Sequence, residues 1–364
     1  MKTYIICTSP IGPSVPNYFF SLAKRLVELG NKVFIVLDHN YDGEKDYHGV
    51  QLCSWPSNRP TKFKDFIFFF KLCKKVKPDV TICQFGSTNI VLFVSWLLGI
   101  SNRINYYHSV TIALRIDSGK KFHIRSQIKK FILNNFATNI FINSQSTKEE
   151  ISDGFIKNPN KINVFYLLIP DKFKNLKINK LSDRKQQLSF VGRIDKSKGQ
   201  EVVIDRIPQL IKIYPEMVVT FVGDGPEKER LEKKCNELNI NQSVNFVGIK
   251  KLNEVLEIMS NSLININASI GESFGLVNIE ALSCGTPIIA PKVGGIREII
   301  KDGENGYFFD PYSEDSLIEK VTLIMKNWEY HSEQARLSFQ EKFSIDNPSV
   351  FNGQIEKMNE IFHF

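Results

Sequence analysis

Apolar runs of six to eight residues recur along the first half of the chain, each separated from the next by turn residues or a stretch of helical period. TYIICTS (3–9) is followed by a helical pattern from about Asn17 to Leu29 that Gly30 closes, and then by KVFIVLD (32–38). DVTICQF (79–85), RINYYH (103–108), NIFINS (139–144) and INVFYLLI (162–169) continue the series, with helices between them. Alternation of this kind predicts parallel βαβ units with right-handed crossovers. The pattern lapses over 171–186, which is polar, basic and aperiodic and reads as an interdomain linker. A second βα series starts at QLSFV (187–191) and passes through FVGDG (221–225), VNFVG (244–248), SLININA (262–268) and PIIAP (287–291). Helical patterns from about Glu314 to Phe362 close it. The expected fold is therefore α/β with two Rossmann-like domains, 1–170 and 187–345, and a last helix over 346–364 that crosses back to the first domain.

Length agrees with this division, since 364 residues exceed what one ordinary core accommodates. With 42% hydrophobic and 24% charged residues the chain is neither disordered nor fibrous. Its six cysteines (Cys7, Cys53, Cys73, Cys83, Cys235, Cys284) form no CxxC pair and no zinc-finger spacing, which suggests reduced thiols in a cytoplasmic protein. The start, MKTYIICTSPIGP, is broken by Pro10 and Gly12 and reads as a strand, not a signal peptide. The longest apolar run, IVLFVSWLLGI (90–100), is about half of what a bilayer requires.

Charge is uneven. Residues 1–180 hold 26 Lys and Arg against 12 Asp and Glu, and the remainder 21 against 27. A basic first half suggests an extended anionic partner such as a membrane surface or a pyrophosphate lipid, with nucleic acid as the rival. Two segments interleave this charge with aromatics: KFKDFIFFFKLCKKVK (62–77) and GKKFHIRSQIKKFIL (119–133). In the first, Phe63, Phe66, Ile67, Phe70 and Val76 are expected to pack inward, leaving Phe68 and Phe69 as an apolar patch beside Lys71, Lys74 and Lys75. Such a helix either lies on an anionic leaflet or is a core helix with a solvated lysine face.

The chemistry concentrates in GESFGLVNIEALSCGTP (271–287). A strand delivers the chain to a short loop, and Leu276, Val277, Ile279, Ala281 and Leu282 then keep helical spacing until Gly285. Backbone amides of Phe274, Gly275 and Leu276 at that helix start suit a phosphate, and Gly275 permits close approach. Glu272 and Glu280 flank this anion site. Carboxylates there are unfavourable unless they accept hydrogen bonds from sugar hydroxyls, Glu280 from a ribose and Glu272 from a transferred hexose.

Two glutamates seven residues apart, with Phe-Gly-Leu between them and Ala281, Gly285, Thr286 and Pro287 following, resemble the donor motif of the retaining GT-B glycosyltransferases of family 4. The string VGRIDKSKG (191–199) is similar to that family's second donor motif, which implies that Arg193 and Lys198 hold the diphosphate. The resemblance further implies that His108 contacts the transferred sugar, that Gly248, Ile249 and Leu252 cradle the base, and that Ser273 belongs to the donor loop. Gly12, alone between prolines where the family usually has a glycine pair, is a weaker donor-loop candidate. The NSQSTKEEI segment (143–151) resembles the family's serine-rich turn, in which Ser146 and Glu149 are expected to form a capping box.

The implied architecture is GT-B, two facing domains with the active site in the cleft, and the implied reaction is sugar transfer with retention from a nucleotide sugar, UDP-linked, to a saccharide or lipid-linked oligosaccharide of a surface polysaccharide. No Asp-x-Asp pair occurs, so neither metal nor other cofactor is expected. Nucleic acid is not an expected partner; an anionic membrane surface is, for a cytoplasmic enzyme peripheral to the membrane. A nucleotide-sugar 2-epimerase and a silent sugar-nucleotide binder are the alternatives.

Overall fold

The computed structural model describes residues 1–8, 14–37, 46–58, 60–108, 128–152, 155–174 and 178–363. The chain divides into two compact units, Met1–Leu168 with Asn352–Phe364, and Ile169–Phe351.

In the first unit eight strands form one sheet: β1 (Thr3–Cys7), β2 (Lys32–Leu37), β3 (Asp46–Tyr47), β4 (Val50–Ser54), β5 (Val80–Gln84), β6 (Asn102–Tyr107), β7 (Asn139–Ile142) and β8 (Ile162–Val164). Their order is β3-β4-β2-β1-β5-β6-β7-β8, parallel throughout except for the short β3–β4 hairpin. Helices α1 (Ser14–Glu28), α2 (Phe63–Val76), α3 (Thr88–Leu97), α4 (128–136) and α5 (Gln145–Ser152) cross between strands. Successive side chains of a strand face opposite ways, and here both sets are apolar, as a sheet covered on two faces demands. Ile5, Cys83, Tyr107 and Ile140 join Trp55, Phe69 and Val91 in one core. Ile82, Tyr106 and Phe141 face the other way, onto Phe19 and Leu22 of α1 and Ile355 and Met358 of the last helix, α13 (Pro348–Phe362).

Several local details differ from the sequence expectation. Helix α1 starts three residues earlier, taking Pro16 into its first turn, where a missing N–H costs nothing. Strand β4 was not expected at all. The cap of α5 is Ser144, whose Oγ accepts from the Thr147 amide at 3.0 Å, so Ser146 lies inside the helix. In α2 the inward and outward sets are rotated: Phe69 is fully buried and Phe68 packs against Trp55, while Phe63 and Ile67 are exposed. Trp55, from a segment without a predicted element, decides that rotation.

In the second unit six strands, β9 (Gln187–Val191), β10 (Val218–Val222), β11 (Val244–Phe246), β12 (Ile264–Ile266), β13 (Ile288–Ala290) and β14 (Gly306–Phe308), pair in the order β11-β10-β9-β12-β13-β14, all parallel. Helices α6 (Gln200–Ile204), α7 (Ile207–Ile213), α8 (Lys228–Glu237), α9 (Leu252–Ser260), α10 (Leu276–Ser283), α11 (Ser316–Lys326) and α12 (Trp328–Lys342) surround this sheet. Leu188, Phe190, Phe221, Ile264 and Trp328 belong to its core.

Of the stretch expected to link the units, the described residues 171–174 and 178–186 belong to the second one. Arg184 is buried there, and its guanidinium donates to the carbonyls of Ser262 (2.6 Å), Cys284 (2.9 Å) and Gly285 (3.2 Å) and to Thr286 Oγ1 (2.7 Å). The Trp328 ring lies 4.6 Å from the guanidinium carbon. Burial lowers the Arg184 pKa to about 10, which leaves it charged at neutral pH. Asp171 is tied in as well, by a 2.6 Å ion pair with Arg336 of α12.

Candidate functional site

Strand order in the second unit reverses between β9 and β12, because β10 and β11 extend the sheet one way from β9 and β12 to β14 the other. The loops leaving the carboxyl ends of two such strands diverge and open a crevice, the standard ligand position of a doubly wound sheet. Here those loops are 192–199 and 267–275. Lys198 Nζ lies 2.7 Å from Glu272 Oε2, so the two meet across the switch point. The backbones touch as well: the Ile270 amide donates to the Ser197 carbonyl at 2.9 Å, and a Cβ on Gly199 would fall 2.2 Å from the Ala268 carbonyl oxygen. Asp195 shapes the first loop by accepting from the Ser197 amide (3.0 Å) and hydroxyl (2.6 Å). Arg193, largely exposed, has Nε 3.5 Å from Asp195 Oδ2, and its carbonyl accepts from Gln200 Nε2 at 2.8 Å. Two cation–carboxylate pairs, Arg193 with Asp195 and Lys198 with Glu272, thus stand on these turns.

The second loop delivers the chain to α10. Gly275 precedes that helix at φ +94, and a Cβ there would meet Asn278 Nδ2 at 2.8 Å, so glycine is required. The amides of Gly275, Leu276 and Val277 have no acceptor among the described residues, leaving donors and the positive end of the helix available to an anion. Phe274 is buried, its ring 6.0 Å from that of Phe343, so its side chain anchors the loop and only its backbone borders the site. Ser273 and Glu272 are braced from beneath: the Gly295 amide donates to the Glu272 carbonyl at 2.9 Å, and a Cβ on Gly294 would sit 1.9 Å from that oxygen. Glu280, in the second turn of α10, is only 7% exposed. Asn267 and Asn278 add a buried brace between loop and helix, Nδ2 to Oδ1 at 3.4 Å, and Asn278 Nδ2 lacks a strong acceptor among the described residues.

The ends of β10 and β11 continue the same edge. The Gly223 amide donates to the Gly248 carbonyl at 2.9 Å, and a Cβ on Gly223 would clash with the Gly192 carbonyl at 2.0 Å. Ile249 follows, 80% exposed, and Leu252 opens α9. Among the described residues no group of three His, Cys, Asp or Glu side chains is gathered as a metal cage requires.

In the first unit the same kind of edge carries His108, just beyond β6. Its Nε2 lies 2.6 Å from Gln84 Oε1 at the end of β5, and Gln84 Nε2 donates to Thr8 Oγ1, just beyond β1, at 2.6 Å. With its amide nitrogen committed to Thr8, Gln84 presents oxygen to the ring, so the imidazole proton sits on Nε2 and Nδ1 keeps its lone pair. The ring is held between Phe85 and Tyr106, with centroids at 4.8 and 4.9 Å. Phe85 adopts φ +48, an unusual conformation for a bulky residue, of the kind that concentrates at functional sites.

Burial, with a smaller push from the Lys129 ammonium, lowers the His108 pKa to about 3. The folded chain then refuses a proton that the unfolded chain accepts below pH 6.5. The stability this contributes is complete above that value and is lost as pH falls towards 3. Urea unfolding of the wild type between pH 6.5 and 5 is expected to lose about 1.6 kcal/mol more than that of His108→Gln; equal losses would show an ordinary, solvated histidine.

Residues 171–340 match the model of the family Glycosyl transferases group 1. An uncharacterised glycosyltransferase of Methanocaldococcus jannaschii is 32% identical over 218 residues, 56% of this chain and 56% of its own length. The phosphatidylinositol N-acetylglucosaminyltransferase gpi3 subunit of Schizosaccharomyces pombe is 24% identical over 335 residues, 87% of this chain and 71% of that protein. Across its whole length the chain superposes on Anabaena HepE, solved with UDP and glucose, with a TM-score of 0.77 at 16% identity, covering 99% of this chain and 100% of that one. The fold is GT-B.

The chain spans little more than half the length of the archaeal relative it matches. The family match lies inside the second GT-B unit, which holds Arg193, Lys198, Gly248, Ile249, Leu252, Glu272, Ser273, Phe274, Gly275, Leu276 and Glu280 at or near the carboxyl edge of its sheet. His108 belongs to the other GT-B unit, and Gly12 lies outside the described residues. Missed from the sequence were Gln84 and Thr8, which set the His108 tautomer, and the Asn267–Asn278 brace. No motif marks them, because a polar residue at a strand end carries no signal until its neighbours across the sheet are known.

Proposed function

We propose that the protein is a retaining glycosyltransferase of family 4 that moves a hexose or N-acetylhexosamine from a nucleotide sugar, UDP-linked, to a saccharide acceptor. The observation that carries this reading is the 2.7 Å approach of Lys198 to Glu272 at the switch point, beside the unpaired amides that open α10. In this reading Lys198 turns to the diphosphate when donor enters, and Glu272 accepts from a sugar hydroxyl. Arg193 grips phosphate oxygens, Glu280 the ribose, and the backbone at Gly248 and Ile249 the base.

Bond cleavage at the anomeric carbon gathers negative charge on the departing diphosphate. Lys198, Arg193 and the α10 amides stabilise that charge most where it is largest, in the transition state. The acceptor hydroxyl attacks from the leaving-group face. Its proton passes to the departing phosphate oxygen as the new glycosidic bond forms. His108, neutral and with its Nδ1 lone pair available, accepts from a hydroxyl of the transferred sugar. Transfer then needs no metal, and excess chelator should leave the rate unchanged.

The match of the second unit to Glycosyl transferases group 1 and the UDP and glucose bound by HepE support the donor class. The phosphatidylinositol acceptor named for the yeast relative supports a lipid-linked acceptor, here taken as an oligosaccharide of a surface polysaccharide on the cytoplasmic face of a membrane. A thermal-shift screen against UDP-, GDP- and ADP-sugars in chelator tests the reading, because a ligand at 100 times its Kd adds about 2.7 kcal/mol to the folded state. A UDP-sugar should raise Tm. Glu280→Ala should weaken that nucleotide about tenfold, or roughly 1.4 kcal/mol. A screen with no shift for any nucleotide sugar would refute the donor site.

A further inference from the structure

Seven large apolar side chains of the first unit face solvent from three helices: Phe63 (76% exposed) and Ile67 on α2, Phe93, Trp96 (47%) and Leu97 on α3, and Ile128 and Phe131 (61%) on α4. They are not scattered. Ring contacts run without a break from Phe63 to Phe66 (6.0 Å), Phe66 to Phe93 (6.2 Å), Phe93 to Trp96 (5.9 Å), Trp96 to Phe136 (5.1 Å) and Phe136 to Phe131 (6.1 Å). A continuous aromatic surface of this kind is unfavourable in water and marks an interaction face.

The charges around it select the partner. Helix α3, at the centre, has no charged residue. Helix α2 carries Lys64, Lys71, Lys74 and Lys75, and its one acid, Asp65, is fully buried. Helix α4 carries Lys130 and no acid, while its Lys129 turns inward, the ammonium 4.4 Å from the centroid of the buried Tyr107 ring. Lys74 lies 5.0 Å from the Phe70 ring centroid, its stem along the same aromatic row. An apolar centre, a lysine border and no exposed acid on these three helices match a surface that is apolar within and anionic above. Aromatic rings settle at the level of the headgroups, while lysine stems reach past them to phosphate. A protein partner would meet the same rings with a rim of mixed charge and would not call for a border of one sign. No helix among the described residues is long and apolar enough to cross a membrane, so contact would be with its surface.

We propose that the face formed by α2, α3 and α4 docks on an anionic lipid bilayer. It rests on the lipid-linked acceptor proposed above for its purpose, but on none of the donor chemistry. The exposed residues differ from the Phe68 and Phe69 patch suggested by helical spacing, and the variants follow the observed face.

Flotation of the full chain with phosphatidylcholine vesicles, with and without phosphatidylglycerol, tests it. The protein should float with the anionic vesicles and remain behind with the neutral ones. The triple variant Phe63→Ser, Trp96→Ser, Phe131→Ser should bind anionic vesicles at least tenfold less, and so should Lys71→Glu, Lys74→Glu, Lys75→Glu. Unfolding curves and the UDP-sugar thermal shift, measured on the same samples, should match wild type, which separates loss of docking from loss of fold or donor site. No flotation of wild type, or flotation equal in both variants, overturns the proposal. So does a dimer in sedimentation velocity that the triple serine variant dissolves, since the face would then pair two copies of the chain. Vesicle binding without any nucleotide shift would leave docking standing and remove the donor reading alone.

Discussion

Replacing Lys198 with alanine is expected to slow sugar transfer by about 100-fold, since one contact to developing charge in a water-poor site supplies about 3 kcal/mol. The geometry sharpens this expectation. Lys198 is partly buried and paired in the resting chain with Glu272 at 2.7 Å. In the proposed reading its removal takes a cation from the diphosphate and also leaves Glu272 uncompensated beside an incoming anion. Both effects act in the same direction, on turnover and on donor affinity. Lys198→Arg should recover part of the loss, and Glu272→Gln should impair transfer while leaving UDP affinity close to wild type, since Glu272 is assigned to the sugar. A Lys198→Ala enzyme with wild-type kcat/KM would remove the lysine from the mechanism.

The second large effect is on stability. Arg184→Met should destabilise the second unit by about 4 kcal/mol, because the methionine fills similar volume yet leaves the carbonyls of Ser262 and Cys284 buried without donors, while that of Gly285 keeps Ser332 Oγ. Arg184→Lys should recover little, since one ammonium cannot span acceptors that the planar guanidinium reaches from two nitrogens. Urea unfolding followed by tryptophan fluorescence reads this directly, Trp328 lying against Arg184. A loss below about 1 kcal/mol would mean that water replaces the guanidinium.

These two residues also show how much the chain discloses in advance. The placement of Lys198 and Glu272 was legible because each lies in the loop that follows an apolar strand, so parallel βα topology alone sends both to the carboxyl edge of one sheet. The order β11-β10-β9-β12-β13-β14 then makes their strands neighbours. Arg184 was illegible. In a basic, aperiodic stretch it looks solvated, and its partners at 262 and 284–286 are remote in sequence. The same limit hid the Gln84 relay to His108 and Thr8, whose three strands are brought together only by the sheet. Helical spacing placed α2 correctly but not its rotation, because Phe63 to Phe70 offers six aromatic or aliphatic residues in eight and Trp55 chooses among them.

Phosphorus NMR of UDP in the presence of chelator tests the central assignment most directly, by reporting the β-phosphate that Lys198 and the start of α10 are said to hold. Adding the wild-type protein should shift and broaden the β-phosphorus line, and Lys198→Ala at the same concentration should largely abolish that change. A line that stays in place with wild type, or moves equally with the variant, would contradict the site.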